Sequence, residues 1–263
     1  MGAFALILAS SLLLLAQAAE AKPLRVASLN LCTDELLFEL ADDSQIASVT
    51  HLSRQGSETP YWQRARRFPA NDGSLLSVAT LKPDLVLTMG GGVRDRASIA
   101  RQLGIRVLDL PYPQSFADIE ASVARVAAAL GQHARGRQLV ERLGQLKRTA
   151  PASAVDTIWL GGGGRTVPAT GLAAEWMRLA GLRQRAFRGD RVTLEQLLVS
   201  PPAILLRSDY REGEYSGEQR WMNHPLARRT RAGRTLRTDG RRWTCMGPSL
   251  LPEILRLRRE LAS

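Results

Sequence analysis

Two cysteines and three histidines are the side chains of this chain best suited to metal binding or nucleophilic chemistry. Cys32 follows a short apolar run, and Cys245 lies in WTCMGP near the far end of the chain. Thiolates are good ligands for soft metals, and His51, in HLSRQGSE, could touch a ligand or coordinate its metal. His133 and His224 have the surroundings of a solvated helix and a loop. No pattern joins these residues to a serine nucleophile or to paired carboxylates, so an enzyme is the weaker class of function.

Glycine clusters follow two apolar runs, at 90–92 and 161–164, and invite comparison with nucleotide-binding loops. In GGGGRT the third glycine of a dinucleotide fingerprint is replaced by Thr166, and no phosphate-loop lysine follows either cluster. We therefore interpret the glycines as steep turns that let a bulky ligand approach the backbone.

The stretch LRVASLNLCTDELLFEL, residues 24–40, shows which elements would position such residues. Residues 26–29 are typical of a buried strand, and residues 35–40 have apolar positions at helical spacing. Thr33 or Asp34 is the predicted N-cap of that helix. A strand, a tight loop and a helix put loop side chains at the carboxyl edge of a parallel sheet. The loop residues expected to face a crevice are Asn30, Leu31 and Cys32.

Strand and helix patterns alternate in both halves of the chain, around a helical middle from 116 to 149 that Gly131 interrupts. The predicted strands are 26–29, 46–49, 84–88, 106–110, 157–160, 203–206 and 234–236. The predicted helices outside the middle are 35–40, 75–81, 97–103, 173–179, 194–198 and 250–261. The pattern indicates an α/β protein whose strand-end loops flank a cleft. The helix 132–149, about 27 Å long, could cross between two lobes or pack within one.

The first residues predict export. Residues 4–16 are uncharged and apolar but short for a membrane span, and Ala19-Glu20-Ala21 is a cleavage signature. We expect a signal peptide cleaved after Ala21, without a lipid anchor, because no cysteine lies beside the site. The absence of Lys or Arg before the apolar run leaves a buried helix or a membrane anchor as the alternative.

The formal net charge is +11, and it would become +12 after removal of the leader and its single acid, Glu20. The arginine-rich run 228–242 invites a nucleic-acid interpretation. However, the chain has only three lysines, and its arginines are spread along the whole mature sequence. We therefore expect no nucleic-acid partner, whereas an anionic ligand or membrane surface would suit this charge.

A set of motifs along residues 24–260 matches the pattern of one protein family. The motifs are SLNLCTDELLFELA, IASVT, LKPDLVL, LAAEWMRLAGL and VTLEQLLVSPPAILL. In this order they resemble the cobalamin and ferric-siderophore type of ABC-transporter solute-binding protein. The resemblance implies an α/β fold of two Rossmann-like lobes with central sheets, joined by one long rigid α-helix, with a ligand cleft between them. The implied division is a signal peptide at 1–21, an N-terminal lobe at 22–130, a bridging helix at 131–150 and a C-terminal lobe at 151–263.

The resemblance also implies a function. A monomeric periplasmic protein would bind a metal chelate and deliver it to an inner-membrane ABC permease. Cobalamin is the first expectation, a ferric siderophore the second and haem the third; the ligand carries the cobalt or iron, and we expect no separate cofactor or metal site. The alternative of a different class is a secreted α/β enzyme acting in the same cleft. Candidate wall residues are Leu31, Cys32, His51, Tyr61, Trp62, Asn71, Arg165, Thr166, Arg207, Tyr210, Tyr215, Trp243 and Cys245.

In the resembled family, a glutamate on each lobe pairs with arginines of the permease. Glu195, in VTLEQLL, matches the position on the second lobe. The matching position on the first lobe is Leu76, so the first-lobe contact departs from the family pattern. Nearby Asp72 is a candidate substitute, although a solvated loop acid is the simpler interpretation.

The resembled fold places both cysteines on loops that line the cleft. In an oxidising compartment a lone pair of cysteines is usually a disulfide, so we favour a bond between Cys32 and Cys245. Two free thiols facing the metal of the ligand are the alternative.

Overall fold

The computed structural model describes residues 24–91, 97–211, 213, 216–228 and 233–263. The predicted signal peptide with its cleavage site, and the candidate wall residue Tyr215, lie outside these residues. Within them, no helix combines the length and the apolar character needed to cross a membrane.

The first half of the chain forms a parallel sheet in the strand order β3-β2-β1-β4-β5. Its strands are β1 Val26–Ser28, β2 Ile46–Thr50, β3 Ala70–Asn71, β4 Leu85–Met89 and β5 Arg106–Leu110. The helices between and after them are α1 Leu31–Leu40, α2 Trp62–Ala65, α3 Leu75–Ala79, α4 Ala97–Gln102, α5 Phe116–Leu130 and α6 His133–Arg148. All residues of β1, β2 and β4 are buried, as expected of parallel strands covered by helices on both faces.

The second half forms another parallel sheet, in the order β7-β6-β8-β9. Its strands are β6 Val155–Leu160, β7 Leu182–Gln184, β8 Ile204–Ser208 and β9 Arg234–Thr238. Its helices are α7 Leu172–Ala180, α8 Leu194–Val199, α9 Gly217–Met222, α10 Pro225–Arg228, α11 Arg242–Cys245 and α12 Leu251–Ala262. Because the strands are parallel, their carboxyl ends share one edge in each lobe, where loops can form a site.

The start of α1 corrects one sequence prediction. Asn30 is the N-cap: its backbone is extended, and its side-chain oxygen accepts from the amide of Cys32 at 2.8 Å. Thr33 and Asp34 are buried instead, and the Thr33 hydroxyl lies 2.7 Å from that of Ser28. The predicted N-cap was therefore wrong by three to four residues. As a result, Leu31 and Cys32 belong to the first turn of α1 and not to the loop before it.

Helices α5 and α6 pack against each other as an antiparallel pair between the lobes. Gly131 ends α5 in the left-handed region, at φ 72°. The Arg135 guanidinium, near the start of α6, donates to the Leu40 carbonyl of the first lobe at 2.6 Å. Near its end, the Leu146 carbonyl accepts from Arg258 of α12 at 2.7 Å. Helix α6 thus contacts both lobes, while the division of the chain at 130 and 150 stays a prediction.

One apolar core runs through both lobes. It includes Val26 and Leu37 in the first lobe, Leu143 on α6, and Trp176 and Leu206 in the second lobe. These five side chains are completely buried. The lobes are therefore joined by continuous packing as well as by the chain.

Candidate ligand-binding cleft

An open cavity of about 370 Å³ lies at the carboxyl edge of the second sheet. Its wall includes aromatic side chains and arginines: Trp159, Arg165, Tyr210, Arg211 and Trp243. Trp159 lies near the end of β6, and Tyr210 and Arg211 follow β8, so the parallel topology explains why residues distant in sequence meet here. The volume lies within the usual range for small-molecule sites.

The two tryptophans of this wall have different roles. Trp243 is buried, and its indole nitrogen donates to the Thr238 hydroxyl at 2.8 Å. Its ring packs against Trp159, with centroids 6.1 Å apart. The Trp159 indole nitrogen is also buried. Among the described residues, it is the one buried side-chain nitrogen or oxygen that has no hydrogen-bond partner. Buried polar groups are nearly always satisfied, so this N–H is a donor beside the cavity that still lacks an acceptor.

Two of the predicted arginines lie near this cavity with different partners. Arg165 is exposed, and its guanidinium lies 3.4 Å from the Glu218 carboxylate. Arg207 is half-buried and donates to the Met222 carbonyl at 3.3 Å. Arg165 is therefore the better placed of the two to reach a ligand in the cavity that it lines.

The glycine turn after β6 brings backbone to the cavity. Gly164 has φ +78°, and a Cβ atom there would lie 2.6 Å from the Val192 carbonyl oxygen. Only glycine fits this approach without strain. The predicted turn is present at this point, and Gly161 and Gly162 line the cavity.

Two of the predicted wall residues stabilise the interior of their own lobe. The buried Asn71 amide donates to the Ser28 carbonyl and the Ser48 hydroxyl, both at 2.8 Å. The buried Thr166 hydroxyl donates to the Trp159 carbonyl at 2.7 Å. Both side chains support the sheet edges from below the cleft surface.

The remaining first-lobe candidates lie on the segment after β2. His51 is exposed, and its Nδ1 lies 3.2 Å from the Asn71 carbonyl. Tyr61 donates its hydroxyl to Glu39, and the Trp62 ring packs under the Arg66 guanidinium at 4.5 Å. Of these three side chains, His51 is the most accessible to a ligand.

The cysteines join the lobes at the base of the cleft. Cys32 on α1 and Cys245 on α11 form a disulfide, with their Cα atoms 5.3 Å apart. Beside it, the Ser249 hydroxyl donates to the Glu35 carboxylate of the first lobe at 2.7 Å. In this arrangement the sulfur atoms bond to each other and are not available to a metal.

A second set of contacts joins the lobes beside the cavity. The carboxylate of Glu58, from the first lobe, accepts from the Tyr210 hydroxyl at 2.9 Å and from Arg211 at 2.5 Å. Next to it, Arg241 donates to the Gly56 carbonyl at 2.9 Å. Sequence analysis missed Glu58, because an acid in the polar segment QGSETP has the pattern of a solvated loop residue.

Two adjacent acids of α1 are the most strongly perturbed carboxyls in this region. Burial raises the pKa of Asp34 to about 7, although hydroxyls of Ser28, Ser53 and Thr50 hydrogen bond to it. Burial also raises the pKa of Glu35 to about 7. Neither carboxylate lines the cavity of the second lobe; Glu35 instead lines a small cavity beside the disulfide, together with Ser249. Among the described residues, no three His, Cys, Asp or Glu side chains gather as a metal site.

The predicted docking positions occupy equivalent places on two helices. Glu195 is the second residue of α8, after the N-cap Thr193, and it is exposed. Leu76 is the second residue of α3 and is 65% exposed. Hydrogen bonds from the hydroxyls of the residues at 74 and 77 lower the pKa of Asp72 to about 2. Asp72 therefore remains charged beside the start of α3.

Comparison with solved structures shows the same fold at low sequence identity. The periplasmic heme binding protein HutB of Vibrio cholerae matches with a TM-score of 0.72 and 18% identity, covering 91% of this chain and 99% of that chain. The periplasmic heme-binding protein BhuT, in complex with two hemes, matches at 0.67 and 20%, covering 90% and 97%. The siderophore binding protein BauB, bound to two molecules of acinetobactin and ferric iron, matches at 0.64 and 16%, covering 91% and 93%.

The sequence itself also matches a family model. No curated protein matches significantly. The model described as periplasmic binding protein, however, matches residues 26–237, most of the chain. Its span contains both sheets, apart from the last residue of β9, together with the central helices. The chain therefore belongs to the periplasmic binding protein family, whose members are solute-binding components of ABC importers.

Proposed function

We propose that the protein binds an anionic iron chelate, either a haem or a ferric siderophore, and delivers it to an inner-membrane ABC permease. The observation that carries this proposal is the cavity beside the inter-lobe contacts, which combines aromatic walls, arginines and the unpartnered indole N–H of Trp159. Aromatic surface suits a large conjugated or aromatic chelate, and arginines suit its carboxylate or other anionic groups.

The similar structures support iron chelates over cobalamin, although cobalamin was the first expectation from the sequence. HutB and BhuT are described as heme-binding and BauB as siderophore-binding. Arg165 and Arg211 line the cavity, each paired with a carboxylate whose place an anionic group of a ligand could take. Cobalamin therefore stays in the experiment as a competing ligand.

An enzyme has less support than a binding protein. The family is solute-binding, and the perturbed acids Asp34 and Glu35 are buried away from the cavity. Export with cleavage after Ala21, and a monomeric state, stay predictions that accompany the proposal.

Titration of the purified mature protein with hemin, a ferric siderophore and cobalamin tests the function. Quenching of tryptophan fluorescence is a direct readout, since Trp159 and Trp243 line the cavity. We expect saturable binding of one iron chelate. Trp159→Phe, which keeps the aromatic ring and removes the N–H, should weaken that binding several-fold. Trp176→Phe, which removes a core indole N–H that donates to the Met246 carbonyl outside the cavity, is the matched control and should not weaken it. Failure of all three ligands to bind would overturn the proposal.

A further inference from the structure

Glu58 is a buried carboxylate that reaches across the cleft. Its side chain is 6% exposed, and it lies in the loop between the turn His51–Arg54 and α2. The neighbouring Ser57 hydroxyl donates to it weakly, at 3.4 Å, and its closer partners, Tyr210 and Arg211, belong to the opposite lobe. A buried carboxylate is costly without charged and hydrogen-bonded partners. The contacts with Tyr210 and Arg211 therefore hold this loop to the second lobe.

The same two donors also line the ligand cavity. Tyr210 and Arg211 both belong to its wall, and the Arg211 guanidinium lies over the Tyr210 ring, 5.1 Å from its centroid. A phenol hydroxyl beside a guanidinium is a good receptor for a carboxylate, because both donate and one is charged. The protein therefore already presents a carboxylate to the groups that would recognise one on a ligand.

The backbone of Arg211 adds a second observation. Its φ is +54°, in the left-handed region that non-glycine residues seldom occupy. Residues in such conformations cluster at ligand clamps and switches, where surrounding contacts keep them in place. At Arg211 those contacts include the ion pair with Glu58.

We propose that Glu58 competes with a carboxylate of the ligand for Tyr210 and Arg211, and so acts as an internal lid on the anion-binding donors. This inference rests on the proposed function and narrows it to chelates that bear free carboxylates. When the ligand takes these donors, Glu58 and its loop are released from the second lobe, and the cleft opens on that side.

A purely structural clamp predicts a different result. If the Glu58 contacts only hold the lobes in a binding-competent position, loosening them weakens or leaves unchanged the binding of every ligand. If Glu58 competes, removing its charge strengthens the binding of ligands with carboxylates and of no others. The two roles can thus be separated by comparing ligands that differ only in their carboxylates.

Hemin and its dimethyl ester make this comparison, because the ester lacks the two free carboxylates. We expect Glu58→Gln, which can still accept from Tyr210, to bind hemin about tenfold more tightly than the wild type, a change of about 1.4 kcal/mol. Its affinity for the dimethyl ester should not change. Arg211→Gln should reduce the preference of the protein for hemin over the ester, and Glu58→Gln should add little in that background.

Ser249→Ala is the matched control, because it breaks a different inter-lobe hydrogen bond to Glu35, outside the second-lobe cavity. It should leave the preference for hemin over the ester unchanged. Unchanged or weaker hemin binding by Glu58→Gln, with wild-type binding intact, overturns the competition and leaves the proposed function standing. The competition and the proposed function are both overturned if the wild type binds hemin, a ferric siderophore and cobalamin no better than a non-binding control does.

Discussion

Cys32 and Cys245 are 213 residues apart in the chain, and their disulfide closes the two lobes into one covalent loop. The residue types alone allowed a bond or a pair of metal-binding thiolates. The choice depends on the packing of α1 against α11, which local sequence does not specify. In the chain-entropy model, a loop of this length could stabilise the folded state by roughly 5 kcal/mol, and measured values are usually smaller.

We expect Cys32→Ser to lower the free energy of unfolding by about 2–4 kcal/mol, because the unfolded chain regains the freedom that the loop removes. Affinity for the ligand should change less, since the sulfurs bond to each other. Chemical denaturation and ligand titration of the same variant measure the two effects. Cys245→Ser should behave identically. Two free thiols counted in denatured, non-reduced protein from the periplasm would contradict the bond.

Asp34 and Glu35 give the fold a pH dependence of a definite sign. Burial is the main cause of the raised pKa of both groups. The folded protein favours the protonated forms of both groups. The stability that these protonated forms contribute is fully present below the pKa values of the unfolded chain. It is lost as the pH rises through about 7, the pKa of each group in the folded protein.

Glu35→Gln tests this contribution, since the amide can keep hydrogen bonds to the hydroxyls of Thr59 and Ser249. We expect the wild type to lose stability from this source between about pH 5 and pH 8, and the variant to lose less. Denaturant unfolding at both pH values gives the two differences. Equal losses in both proteins would show that Glu35 does not titrate as described.

At the level of elements, long apolar runs were predictable and short or context-dependent pieces were not. The sequence predicted β2 and β4 within one or two residues, because buried parallel strands are nearly continuous apolar runs. It missed β7, Leu182–Gln184, since three residues directly after a helix carry no periodicity. It also misassigned the N-cap of α1, where Asn30, Thr33 and Asp34 are all capping residue types and only tertiary contacts distinguish them.

The candidate site was less predictable than the fold. Sequence order indicated which loops reach the cleft, and Arg165, Tyr210 and Trp243 do line the cavity, while their contact with a ligand stays a prediction. It could not show that Asn71 points into a sheet edge. Nor could it show that Glu58 is buried against the opposite lobe. The positions of Asn71 and Glu58 both depend on contacts between segments that are distant in sequence.

The packing of α5 on α6 depends on a glycine, and two glycines of α6 make a matched test. A Cβ atom on Gly136 would lie 2.5 Å from the Ala127 Cβ, whereas one on Gly144 would meet only the end of the Arg148 side chain at 3.1 Å. We expect Gly136→Ala to destabilise the protein by about 1–3 kcal/mol, through overpacking between the helices.

Gly144→Ala should instead stabilise the protein, by about 0.5–1 kcal/mol, because alanine loses less conformational freedom in a helix. Denaturant unfolding of both variants measures the contrast. If both substitutions stabilised the protein, close packing of the two helices at Gly136 would be refuted.

At the scale of the whole molecule, docking to a permease would use one face of each lobe. Glu195 and Leu76 occupy the same position in the first turns of α8 and α3, one charged and one apolar. Leu198 and Val199, at the end of α8, are also exposed. The two lobes would therefore contact the permease with different chemistry.

Glu195→Ala should lower ligand uptake several-fold in cells that carry the permease, while ligand affinity in solution stays the same, because Glu195 lies outside the cavity. Transport of radiolabelled ligand and titration of the purified variant measure the two properties. Glu141→Ala, which removes an exposed acid from α6, is the control and should not affect uptake. Weaker ligand binding by Glu195→Ala would place this residue in the site and not at the permease.

The apolar core that continues from Val26 through Leu143 to Trp176 has a consequence for how the protein melts. Two lobes connected by a flexible linker would unfold independently and show two heat-absorption peaks. Here neither lobe can open without exposing apolar surface of the other, so the chain should unfold in a single cooperative transition with equal calorimetric and van't Hoff enthalpies. For the same reason, either half expressed alone would lack part of its own interior and would aggregate.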